Sequence, residues 1–124
     1  MKYRSKIIRG HGRGKDLGFP TFNLVIPPQF EFDYGVYSSW VWINKKRYTG
    51  ALHYGPVPTF DEKGPTLEIY VLDYDGGDAV NELRFEIKHF IRKIIRFDTT
   101  QALHNQIEQD VAKVQNSLDQ SNTT

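Results

Sequence analysis

The sequence predicts a mainly β chain that closes into a six-stranded antiparallel β-barrel, with one C-terminal α-helix packed outside it. Three observations carry this. Aromatic residues fill 14% of the 124 positions, and with abundant Val, Ile and Thr they suit pleated, half-buried surfaces. About six short segments between residues 4 and 91 alternate or run apolar between turn residues. Beyond Phe97 the apolar period changes from two to about 3.6, the period of a helix.

Taken in order, residues 4–9 form a first strand, and a glycine-rich segment follows. The next extended stretch closes at Pro27-Pro28, before an irregular aromatic segment over residues 30–34. Residues 35–43 and 47–54 read as two strands joined in a hairpin across Asn44-Lys45-Lys46. Three prolines and two glycines make residues 55–65 a loop. Residues 66–73 alternate, with Leu67, Ile69 and Val71 on one face and Glu68, Tyr70 and Leu72 on the other. Asp73, Asp75 and Asp78 belong to a solvated turn, and residues 83–91 form a last strand with Leu83, Phe85 and Ile87 inward. The closing helix carries the stripe Leu103, Ile107, Val111, Val114 and Leu118. Asp98 is placed to cap it, Gln101 stands at the return position of a capping box, and Phe97 can staple onto Ala102. Residues 119–124 are expected to fray.

The length is that of one domain, 1–124, with a single core. A net charge of +1 from 16 basic and 15 acidic residues lacks the excess of a general nucleic-acid binder, so no nucleic-acid partner is expected. No cysteine is present, and neither an apolar leader nor a membrane-spanning run is visible. A cytoplasmic monomer without membrane contact is the expectation.

Residues 10–24, GHGRGKDLGFPTFNL, carry the chemistry. Gly10, Gly12, Gly14 and Gly18 let the backbone approach a ligand closely, and Arg13 and Lys15 add positive charge, which suits phosphate binding. Thr21 and Asn23 stand two apart in an extended segment and share a face, where their oxygens suit Mg²⁺. Read without context, the glycines more often make a tight connection than bind phosphate, and the two side chains more often cap a turn than hold a metal. His11, His53, His89 and His104 show no metal-ligand spacing and read as ordinary surface or loop histidines. Trp40 and Trp42 share a strand face and read as packing residues.

This segment, with GVY (35–37), KRYTGA (46–51), GPVPTF (55–60), TLEIYVLDYDG (66–76) and RFDTTQALHNQIEQDV (96–111), resembles the riboflavin kinase family in order and spacing. The resemblance implies a barrel of riboflavin kinase type that transfers the γ-phosphate of ATP to the 5′-hydroxyl of riboflavin, giving FMN and ADP. By position, Gly10, Gly12, Arg13, Gly14, Lys15 and Gly18 would cover the nucleotide phosphates. Thr21 and Asn23 would hold Mg²⁺, Glu68 would be the catalytic base, and Phe97 and Leu103 would border the flavin. The chain departs from the family pattern at His53 (family Asn), Val57 (family Arg) and Ala79-Val80 (family Tyr-Gly). Those departures keep a second reading open, a non-catalytic flavin- or nucleotide-binding module on the same barrel.

Overall fold

The computed structural model describes residues 2–8, 20–56, 64–77 and 80–122. Six strands, β1 (Lys2–Ile8), β2 (Thr21–Leu24), β3 (Gly35–Ile43), β4 (Lys46–Gly55), β5 (Thr66–Val71) and β6 (Glu82–Arg92), precede one helix, α1 (Thr100–Asn122). The strands close a barrel in the order β1-β2-β5-β4-β3-β6, every pairing antiparallel, so each described strand has a neighbour on both sides. The predicted class holds.

Alternation divides the barrel wall into two buried faces. Inward, Val41, Leu52, Ile69, Val71, Leu83 and Phe85 are completely excluded from solvent. Phe30, from the irregular segment, meets Tyr3, Tyr54 and Phe85 with ring centroids 4.8 to 6.4 Å apart and fills the interior beside them. Gly50 is required on this face, because a Cβ there would come within 2.7 Å of Val41 and 2.8 Å of Ile69. Outward, Trp40, Ala51, Tyr70 and Leu72 are buried by the α1 stripe Leu103, Ile107, Val111, Val114 and Leu118, which forms a second core.

Boundaries differ from the sequence reading where local geometry decides. Asn44 and Lys45 both take positive φ, 49° and 70°, so the hairpin turns in two residues and Lys46 already belongs to β4. The helix is capped by Thr99 and not by Asp98. Thr99 O accepts the Leu103 N–H, which makes Thr99 the boundary residue, and its Oγ1 accepts the Ala102 N–H at 3.1 Å. Gln101 donates to Asn105 Oδ1 instead of returning to the cap. The helix also continues to Asn122, past the end of its apolar stripe.

Candidate active site

The site is built from one row of residues that crosses the barrel wall. Directly opposed residues on neighbouring strands share a face. On the outer face Asn23 of β2 opposes Glu68 of β5, Glu68 opposes His53 of β4, His53 opposes Val36 of β3, and Val36 opposes Arg92 of β6. Thr21, one step along β2 on the same face, opposes Tyr70. Outer positions of a small barrel normally meet solvent, yet Glu68 is only 2% exposed and Asn23 only 7%. A carboxylate so buried is costly unless polar groups stabilise its charge, and its cross-strand neighbours on both sides, Asn23 and His53, are polar.

At the other end of the row, Arg92 reaches α1. Its Nε donates to Asp110 Oδ1 at 2.8 Å and its Nη2 to Asp110 Oδ2 at 2.7 Å, a bidentate pair that also receives Gln106 Nε2 at 3.1 Å. The third guanidinium nitrogen donates to the Lys93 carbonyl, so the arginine holds the turn between β6 and the helix as well as the helix itself. Between this pair and β4 lies a narrow cleft, with Leu103 and Ile107 on the helix side, Ile94 and Ile95 on the crossover, and His53 and Tyr70 on the barrel side. The walls are mostly apolar, with the Arg92–Asp110 pair on one side and His53 and Tyr70 on the other, a build that suits a small molecule.

Each sequence-derived candidate has a place, or lies outside the described residues. Thr21, Asn23 and Glu68 come together on the outer face. Leu103 lines the cleft. Phe97 packs beside it against the helix core, its ring 6.0 Å from the Arg92 guanidinium. Gly10, Gly12, Arg13, Gly14, Lys15 and Gly18 lie outside the described residues, as do Val57 and Ala79. The strands that the glycine segment joins end at Ile8 and begin at Thr21, and Ile8 opposes Asn23.

His53 is the main addition. It reads from sequence as an ordinary histidine, but it sits half-buried on β4, facing Glu68 and lining the cleft. Arg92 and Asp110 were not legible as a pair. The one hint was a carboxylate at position 110 beside the apolar stripe, between Ile107 and Val111.

The riboflavin kinase (flavokinase) family model matches residues 1–118. The chain belongs to the riboflavin kinase family. It is 31% identical over 108 residues to the trifunctional protein RibF/MnmA of Mycoplasmoides gallisepticum, covering 86% of this chain and 16% of that protein. It is 31% identical over 113 residues to the bifunctional riboflavin kinase/FMN adenylyltransferase of Bacillus subtilis, covering 84% of this chain and 34% of that one. The chain therefore spans about a third or less of these relatives. The crystal structure of riboflavin kinase from Trypanosoma brucei shares the fold, with a TM-score of 0.64 at 23% identity over 95% of this chain and 79% of the other.

Proposed function

We propose that this chain, as a single domain, is an ATP:riboflavin 5′-phosphotransferase producing FMN and ADP. The observation that carries the reading is Glu68, a buried carboxylate between Asn23 and His53, the latter lining an apolar cleft. The cleft, bordered by Leu103 and Phe97, takes the flavin ring, which brings the ribityl chain towards Glu68. The 5′-oxygen attacks the γ-phosphorus, the bond to the departing ADP breaks, and the hydroxyl proton passes to the Glu68 carboxylate. In a loose phosphoryl-transfer transition state that proton leaves late, so a carboxylate of ordinary basicity suffices as acceptor.

Thr21 and Asn23 fit a hard divalent cation, since both present oxygen on the face where Asn23 opposes a carboxylate. Among the described residues no cluster of three His, Cys, Asp or Glu side chains could hold a metal, so these two neutral ligands suit an ion that arrives with nucleotide phosphates. When bound, Mg²⁺ neutralises developing charge on the phosphoryl oxygens. The glycine segment with Arg13 and Lys15 covers the same phosphates in this reading.

The test is FMN formation from riboflavin and ATP, separated by chromatography with fluorescence detection, with and without EDTA. Metal-dependent FMN is the expected product. Tight riboflavin binding without FMN from any nucleoside triphosphate would replace the kinase with a binding module.

A further inference from the structure

His53 stands where the row of site residues meets the cleft. It directly opposes Glu68, and both lie on the outer face, because their chain neighbours Leu52, Leu67 and Ile69 belong to the barrel interior. Side chains so opposed have Cβ atoms about 5 Å apart, within reach of a hydrogen bond between imidazole and carboxylate. His53 is half-buried and lines the cleft beside Val36 and Tyr70, whereas Glu68 is buried. The carboxylate thus meets a titratable group on its β4 side and a neutral amide, Asn23, on its β2 side.

The titratable and charged groups facing His53 come from three elements. β5 contributes Glu68 and the Tyr70 phenol, β6 contributes Arg92, and α1 contributes Asp110. Val36, the neighbour of His53 on β3, carries no charge. Arg92 and Asp110 are joined by two short hydrogen bonds, so their charges largely cancel beyond the pair. A phenol ordinarily ionises near about pH 10, far above an imidazole. Glu68, directly opposite, is therefore the charge to which His53 is most closely coupled.

We propose that His53 is the positioning residue of Glu68 and that its protonation switches the base off. The role rests on the kinase reading of Glu68. A neutral imidazole donates one N–H to one carboxylate oxygen, which fixes the carboxylate plane and leaves the second oxygen for the 5′-hydroxyl proton. That proton moves to the second oxygen while the bond to the γ-phosphorus forms and the bond to ADP breaks, so His53 exchanges no proton in the step. A protonated imidazole holds Glu68 as an ion pair, and a carboxylate facing a cation accepts a proton less readily. Turnover therefore falls as pH drops through the range where an imidazole gains its charge, about pH 8 to 5. Asn23 supplies no such switch, because an amide does not titrate.

Two measurements on the full chain test this. The first needs no turnover: histidine ring resonances are followed by NMR from about pH 5 to about pH 9. His53→Asn identifies the His53 resonance among the 4 histidines. Glu68→Gln should lower the His53 midpoint by at least about one pH unit and leave the other histidines unmoved, since losing an opposite charge disfavours the imidazolium. The second is kcat for FMN formation against pH. The parent should slow about tenfold between about pH 8 and about pH 6, whereas His53→Asn, which keeps an N–H donor and does not titrate, should lack that fall. His53→Leu, with no donor, should be at least about tenfold slower than the parent at about pH 8. FMN formation with a His53 midpoint unmoved by Glu68→Gln, with a His53→Asn profile parallel to the parent's, or with His53→Leu as fast as the parent would overturn the assignment. No FMN from the parent at any pH would instead remove the kinase reading and the switch with it, and a shifted midpoint would then mark a structural pair.

Discussion

Glu68 is buried on a face where an unpartnered carboxylate would be unfavourable, and its two cross-strand neighbours are both polar. Such a group is either a stabilised structural polar residue or a base held ready for use, and substitution separates the two. Glu68→Gln keeps the volume and the hydrogen-bonding capacity but removes the basic oxygen. In the kinase reading it should lower turnover by about 10²- to 10⁴-fold. Riboflavin binding, followed by flavin fluorescence, and the circular dichroism spectrum should stay as in the parent. Turnover within a factor of two of the parent would remove Glu68 from the role of base.

At the scale of elements, an apolar stripe and the Arg92–Asp110 ion pair hold α1 on the barrel. The side chains of Arg92 and Asp110 are 12% and 3% exposed, so neither charge has much water to fall back on. Asp110→Ala leaves the guanidinium without its carboxylate, and breaking such a buried pair costs about 3–5 kcal/mol. A urea titration should show that loss as a lower midpoint. A change below about 0.5 kcal/mol would mean that the stripe alone fixes the helix. This pair also marks how far the sequence could be read. The inward faces of β5 and β6 and the helical stripe follow from periodicity alone, which is a local property. That Glu68, Tyr70 and Leu72 face outward was equally legible, but their burial was not, since it depends on tertiary packing. Cross-strand register brings Asn23, Glu68, His53 and Arg92 into one row across residues far apart in sequence, and no short-range pattern encodes it. Thr99 took the cap from Asp98 for a similar reason, because the helix begins where the crossover held by Arg92 delivers the chain.

The molecule as a whole keeps two tyrosines protonated against the solvent. Burial raises the Tyr37 phenol above its ordinary value of 10.0, with the negative charge of Asp33 adding to the effect, and its hydroxyl donates to the Asp33 carbonyl at 2.7 Å. Burial followed by Tyr34 raises Tyr54 in the same direction. A raised phenol means that the folded chain retains a proton which the unfolded chain gives up once pH exceeds 10.0. Stability from these groups is therefore fully present below that value and is lost as pH climbs towards the folded-state values. Urea midpoints should hold up to about pH 9 and fall steeply towards about pH 11, and the double variant Y37F/Y54F should flatten that fall. A parent curve that is level across the same interval would contradict the assignment.

Barrel closure has a kinetic consequence. The seam between β1 and β6 joins Tyr3 to Phe85, partners about 80 residues apart in the chain. On a ribosome the first strand is made early and its seam partner late, after every other strand of the wall. Through that interval the β1 backbone has only the short β2 to pair with, and its remaining donors and acceptors stay with water. Long-range closure of this kind is slow because the loop entropy is lost before the contacts form, which places folding in the millisecond-to-second range. Nascent chains stalled before residue 82 would thus hold an unsealed wall, open to pairing with a neighbouring copy until β6 arrives.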